Sequence, residues 1–337
     1  MRVAIIGVGR MGRRHIHVAR KLKLDLVGVV DVCRQSLVET KLEHKLEDEQ
    51  LFKDAEDLFD KVVPECLIIA TTADFHCFLT CKAAERGVKY ILVEKPLAVS
   101  LEECDRMISA CVEFGVKLSV NHQMRFMERY SKPRALLYSE AFGGFKSMTV
   151  VGGNFGLSMN GTHYLEAFRY MSDEDPNEVT AWFDPGIVAN PRGTRFEDRA
   201  GSMRVTTLSG KRLYLESGSE QGHGLSVVYG GRNGLISVNE LTGKITTTVR
   251  QSEFRELPTT RYGMPADTTY LAIASEDVID STALVLSALL QGDNHVTAAH
   301  GAMAVKVLVA AYASAENGSR PVQLDSHLAR QRVFPWA

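Results

Sequence analysis

Six residues near the start of the chain constrain its fold more than any others. Gly7-Val8-Gly9-Arg10-Met11-Gly12 directly follows an apolar run at residues 3–6 and leads into a helical pattern. In that strand–turn–helix context each glycine has a job: a tight turn, close approach of backbone to a pyrophosphate, and close packing of helix on strand. The N–H groups at the start of the helix then face the phosphates. Asp31 ends the second apolar run, 19 residues after Gly12. A carboxylate there accepts hydrogen bonds from adenosine ribose hydroxyls and repels a 2′-phosphate, which favours NAD over NADP. Arg34 nearby serves either cofactor and leaves NADP open.

Length and patterning extend this start to two domains. A chain of 337 residues is too long for one ordinary core. Apolar runs at 3–6, 26–30, 67–70, 90–93 and 117–120 are short and continuous, as in strands covered on both faces. Amphipathic stretches separate them, so right-handed βαβ units and a parallel sheet are expected over residues 1–122, an α/β dinucleotide-binding domain. The charged segment 41–60 reads as solvated helix surface. After Arg125 the character changes. Turn pairs Ser209-Gly210, Gly230-Gly231, Asn233-Gly234 and Thr242-Gly243 predict hairpins of an antiparallel sheet. With helices expected at 128–138, 163–171, 269–290 and 298–315, residues 123–337 read as a second, α+β domain.

Composition excludes several classes. At 45% hydrophobic and 24% charged the chain is globular, and a net charge of −2 leaves no basic stripe for nucleic acid. Apolar runs such as 307–313 are too short to span a bilayer. No charged leader precedes the first strand, so a cytoplasmic protein is expected. Cys33, Cys66, Cys77, Cys81, Cys104 and Cys111 form no CxxC pair and read as small buried hydrophobes of a reducing compartment. His15 and His17 diverge on a helix and cannot form a metal pair; no other cluster has ligand spacing, so no metal is expected.

Glu94-Lys95-Pro96 follows the fourth long strand, where open parallel sheets line their ligand crevice. Pro96 holds Lys95 extended. A lysine there can donate to a substrate hydroxyl and ease loss of its proton; a surface lysine at a strand end is the plainer account. In order along the chain, the glycine loop, Asp31, Ala70-Thr71-Thr72-Ala73-Asp74-Phe75-His76, Glu94-Lys95-Pro96-Leu97-Ala98 and Asn121-His122-Gln123-Met124-Arg125-Phe126 resemble the glucose–fructose oxidoreductase/inositol dehydrogenase (Gfo/Idh/MocA) family. Asn160-Gly161-Thr162-His163 resembles it too. The likeness covers residues 1–172.

The resemblance implies a Rossmann domain followed by a large open, mainly antiparallel sheet used for substrate binding and oligomerisation, as a homodimer or homotetramer. It implies reversible hydride transfer between NAD(P) and a secondary alcohol of a sugar, inositol or sugar nucleotide. Lys95 would hydrogen-bond the reacting hydroxyl and His163 would be the general acid/base. The cofactor would meet Gly7, Gly9, Arg10, Met11, Gly12, Asp31, Arg34, Thr71, Thr72, His76, Glu94, Lys95 and Asn121. Arg125, Asn160, Tyr164 and Glu166 are candidate substrate contacts, and Arg192, Arg195 and Arg199 lie in a polar stretch that suits either an anionic group or a solvated loop.

Physical chemistry supports His163 separately. Imidazole titrates near neutrality. With Thr162 as N-cap, His163 falls in a first helical turn, whose dipole favours the neutral, proton-accepting ring. One departure stands out: many relatives carry Asp four residues before this histidine, and here that position is Met159. Glu166, one turn on, is a candidate replacement orienter or an exposed helix carboxylate. Two rival readings follow: a non-catalytic dinucleotide-binding sensor, and an enzyme with a tightly bound, internally recycled NAD.

Overall fold

The structure, a computed structural model, describes residues 1–258 and 264–336. It divides into two compact units, Met1–Gln123 with Asp277–Val305 and Ala329–Ala337, and Met124–Glu276 with Lys306–Leu328.

The first unit alternates as its pattern predicts: β1 (Arg2–Ile6), α1 (Arg10–Lys21), β2 (Asp25–Val30), α2 (Arg34–His44), β3 (Leu51–Phe52), α3 (Ala55–Lys61), β4 (Cys66–Ile69), α4 (His76–Glu85), β5 (Tyr90–Val93), α5 (Leu101–Glu113) and β6 (Lys117–Val120). The sheet is parallel, in the order β3-β2-β1-β4-β5-β6. Strand order reverses between β1 and β4, so the loops after those strands flank the crevice where such sheets take ligands. Segment 41–60 is not one solvated helix. Leu51 and Phe52 pair with Val29 and Val30 as an edge strand, because Phe52 has a buried site beneath Gly28. Ser100 caps α5 by accepting from the Glu103 N–H at 3.1 Å.

The second unit holds α6 (Glu128–Leu137), β7 (Phe145–Gly153), α7 (Gly161–Ser172), β8 (Pro176–Val188), β9 (Asp198–Thr207), β10 (Arg212–Gly218), β11 (Ser226–Gly231), β12 (Gly234–Asn239), β13 (Lys244–Arg250) and β14 (Ala266–Ala272). The chain continues through α8 (Val278–Gln291) and α9 (Ala298–Glu316) to β15 (Val322–Gln323). The second sheet runs β14-β13-β12-β11-β7-β10-β9-β8-β15, antiparallel except for β7 beside β10. All four predicted turn pairs fall at or between strand ends. One row of residues shows how the sheet is built: Ala181, Met203, Leu215, Val150, Val227, Val238 and Ile245 lie side by side across seven strands, all buried. Each of the six side chains larger than Ala181 contributes roughly 1.5–3 kcal/mol of apolar burial. Helices α6 and α7 pack on this sheet. The opposite face carries Trp182, Tyr214, Leu235 and Tyr270, all exposed.

Two boundaries differ from expectation. The helix predicted at 269–290 begins only at Val278, because Thr268-Thr269-Tyr270-Leu271 continue the pairing of β14 with β13. Nor does everything after 122 join the second unit. Helix α8 packs on α1, β5 and β6 of the first, and the Phe334 N–H donates to the Val99 carbonyl at 2.9 Å. Trp336, fully buried, stacks on Phe334 at 4.5 Å. Helix α9 is also longer than the apolar run at 307–313: its 19 residues are long and apolar enough, by length and composition, to cross a membrane, and 61% of its apolar window is buried inside the protein.

Candidate active site

Gly7 adopts φ +88°, and a Cβ there would lie 2.8 Å from the Ala70 carbonyl. At Gly12 a Cβ would lie 1.8 Å from the Gly7 oxygen, so helix and turn touch only because both residues lack one. Around Gly9 nothing lies within 4 Å of such an atom. The backbone is therefore open at the one glycine where a pyrophosphate must approach, and no side chain caps α1 there. A cavity of about 390 Å³ adjoins it, lined by Gly9, Arg10, Arg13, Arg14, His17 and Glu43. Asp31 closes the cradle: one carboxylate oxygen accepts the Val8 N–H at 2.9 Å, the other the Cys33 N–H at 2.8 Å. Each oxygen keeps a lone pair for a ribose hydroxyl. Arg34 opens α2, exposed. This cradle fits a dinucleotide.

Beyond β5 the residues form a layered polar network. Glu94 is 5% exposed, and its Oε1 accepts from His15 Nε2 and from Asn121 Nδ2, both at 2.8 Å. Burial pushes its carboxyl up, yet hydrogen bonds from His15 and Asn121, with the neighbouring Lys95 cation, hold it down at about 2. Glu94 thus stays an anion beside Lys95, which is half-buried. Asn121 Oδ1 has no protein partner, a buried acceptor among residues expected around the cofactor. Sequence reasoning missed His15; its one signal is its place one turn after Gly12, on the helix face that meets the sheet.

The His76 ring is fully buried, with Nδ1 3.0 Å from the Pro96 carbonyl and Nε2 3.3 Å from that of Thr71. Burial lowers its pKa, so the ring is neutral and donates through one nitrogen; the shorter contact makes that Nδ1. Through that bond it fastens the start of α4 to the loop after β5. Thr71 and Thr72 lie half-buried in the loop after β4, and the Thr71 hydroxyl donates to the Thr72 carbonyl at 3.2 Å.

The remaining residues belong to the second unit. Helix α7 is capped at Asn160, not Thr162, whose hydroxyl donates to the Ser158 carbonyl at 3.1 Å. His163 is the third helical residue, 9% exposed, and its N–H donates to the Asn160 carbonyl at 3.0 Å. Asn160 Nδ2 donates back to the Phe155 carbonyl at 2.7 Å. The turn before the helix is held from outside: Asp198, 1% exposed, accepts the N–H groups of Ser158 at 2.8 Å and Met159 at 2.7 Å.

Glu166 is not an exposed helix carboxylate. It is wholly buried and ion-paired with Arg125, with Arg169 at 3.9 Å. Arg125 lies over the Tyr170 ring. These two proposed substrate contacts therefore meet each other. Tyr164 is also turned inward, donating to Glu240 at 2.8 Å; Tyr130 donates to the same carboxylate, whose pKa burial raises. Arg195 lies over the Phe196 ring, while Arg192 is exposed and Arg199 half-buried. Finally, His17, Glu43 and His44 bring ligand atoms within 4.8 Å of one another, a grouping that sequence spacing did not reveal. The other Glu43 oxygen lies 3.4 Å from Arg13, and the two rings meet edge to face.

The chain is similar to known proteins. Residues 1–122 match the model of an oxidoreductase family with an NAD-binding Rossmann fold, GFO_IDH_MocA. The chain is 27% identical over 199 residues to myo-inositol 2-dehydrogenase of Thermotoga maritima, covering 54% of this chain and 58% of that enzyme. It is 31% identical over 236 residues to 2,7-anhydro-N-acetylneuraminate hydratase of Mediterraneibacter gnavus, covering 64% and 61%. The matches thus span less than two thirds of these curated relatives. An oxidoreductase of Agrobacterium radiobacter, solved with NAD+, L-tartaric acid and magnesium, superposes with a TM-score of 0.79 over 96% of this chain and 98% of its own, at 19% identity, a likeness of fold. Residues 1–122 thus form an NAD-binding Rossmann domain of the Gfo/Idh/MocA oxidoreductase type.

Proposed function

We propose that the protein is an NAD-dependent oxidoreductase that moves a hydride between nicotinamide and a secondary alcohol or ketone of a sugar, inositol or sugar nucleotide. The observation that carries this is the buried Glu94 anion, held by His15 and Asn121 beside Lys95, at the carboxyl end of the sheet that bears the glycine cradle. The cofactor, held by Gly7, Gly9, Gly12 and Asp31, supplies the hydride acceptor or donor. Lys95 donates to the reacting oxygen and stabilises negative charge developing on it. His163, in the first turn of α7, takes up or returns the hydroxyl proton. The inositol dehydrogenases among the relatives support the substrate class.

The reading includes a homodimer or homotetramer, supported by Trp182, Tyr214, Leu235 and Tyr270 on the open face of the second sheet. It also includes the cytoplasm, supported by six free cysteines. A second reading has its own support: two relatives are named hydratases, whose net reaction is not a redox change. It has NAD held tightly and returned to its starting state each turnover.

The test is absorbance of reduced nicotinamide with NAD or NADP and a panel of inositols, sugars and nucleotide sugars. Turnover that disappears in His163→Asn and falls strongly in Lys95→Ala, with cofactor affinity kept, supports the dehydrogenase. Cofactor that survives desalting, with substrate consumed and no net absorbance change, moves the assignment to the second reading. Saturable NAD binding with no substrate consumed sinks both.

A further inference from the structure

We infer that Asp198 is a positioning residue for His163, acting through the turn that starts α7. This rests on the proton-transfer role proposed for His163.

Asp198 stands at the first position of β9, distant from His163 in sequence, yet its carboxylate takes both backbone N–H groups at the centre of the turn, Ser158 and Met159. Charge-assisted bonds of this kind are roughly twice as strong as neutral ones. The contact is built from both sides. Gly156 has φ +72°, and a Cβ on it would fall 2.1 Å from Asp198 Oδ2, so the chain leaves that space to the carboxylate. The next backbone link fixes the same two segments, with the Leu157 N–H donating to the Arg199 carbonyl at 3.1 Å.

From this anchor to the imidazole the path is one turn long. The N–H groups of Asn160 and Gly161 both donate to the Gly156 carbonyl, Thr162 bonds back to Ser158, and His163 bonds back to Asn160. Rotating or loosening residues 156–160 therefore moves the first turn of α7, and His163 with it. Met159 has no carboxylate of its own, and the carboxylate of Asp198 arrives against its backbone from another strand.

Asp198→Asn tests the inference. Asparagine keeps the size but offers one acceptor oxygen, and its NH2 would oppose one of the two amide protons. Two readouts are taken: hydrogen exchange of the Ser158 and Met159 amides, which needs no substrate, and steady-state kinetics. Expected are at least a tenfold loss of protection at those amides and a fall of about 100-fold in kcat, the scale of a misplaced catalytic group. KM and NAD affinity should change less than about twofold, and the pH limb assigned to His163 should move. Unchanged protection shows that the carboxylate does not hold the turn; lost protection with wild-type kcat shows that the turn does not aim the histidine. Either overturns the inference. Should the variant not fold, Asp198→Ser, which removes the carboxylate without adding bulk, carries the same readouts and the same overturning results. A wild-type protein that consumes no substrate defeats the reading of His163 itself, and Asp198's role with it; active wild type beside an unaffected variant defeats only the role of Asp198.

Discussion

Removing the charge of Glu166 should cost the second unit more than removing the charge of its partner. Glu166 is wholly buried and the Arg125 side chain is 4% exposed, so either left alone is an uncompensated buried charge. The two losses are unequal because a third group stands by. Without Arg125, Glu166 still has Arg169 at 3.9 Å. Without Glu166, two guanidinium groups share a poorly solvated region, and burial already lowers the pKa of Arg169. The nearest remaining carboxylate of Arg169 is Asp175, 3.9 Å away and 76% exposed. Breaking a buried pair costs about 3–5 kcal/mol, so we expect about 4 for Glu166→Gln and about 2 for Arg125→Met, where Arg169 compensates. The double variant should cost about 3, well below the sum, since only Arg169, with Asp175 still beside it, is then left without its buried partner. Urea denaturation followed through Trp182, in a Trp336→Phe background that keeps the ring stack on Phe334, isolates the second unit. Equal costs for the two single variants, or an additive double variant, would refute the charge assignment.

Gly12→Ala should weaken NAD binding at least tenfold by calorimetric titration, because the new Cβ would meet backbone at 1.8 Å and the turn must open. Tyr164→Phe should destabilise the protein by about 1–2 kcal/mol through the lost bond to buried Glu240, with KM unchanged; a raised KM would return Tyr164 to the substrate. Glu94 adds a pH dependence. Its carboxyl is held at about 2 against a usual 4.5, so the stability it contributes, about 3 kcal/mol, is full above pH 4.5 and lost as pH falls towards 2. Glu94→Gln should flatten acid unfolding across that window, and a profile parallel to wild type would count against the network.

The glycine cradle was legible because its physics is local: a positive φ, a missing Cβ and a helix start all lie within six residues. The hairpins were legible for the same reason. What motif order could not convey was side-chain direction. His76 sits where the pattern puts it, yet its ring N–H is taken up by the loop after β5. Glu166 looked like solvated helix surface until its partner, 41 residues earlier, was brought against it. The Glu94 site needed His15 from 79 residues upstream, and no spacing rule links them. The misplaced start of α8 has another cause. The β-branched and aromatic run at 268–271 favours a strand, and the waiting edge of β13 decided it. The domain limits failed on the assumption that a domain is one stretch of chain.

That last point bears on how the protein is made. The nucleotide-binding unit starts to leave the ribosome before the second unit, and it is complete only after most of that unit has been made. Residues through 123 emerge carrying the cradle, but the β6 backbone finds its bond to the Val296 carbonyl, and the first turn of α5 its bond to the Arg330 carbonyl, only when the rest has been synthesised. At about 5–20 residues per second, that leaves the nascent half unfinished for roughly 10–40 s. During that interval its apolar side chains around Val99 and Val120 lack their final partners, and a ribosome stalled anywhere in the second unit would hold out an incomplete first one.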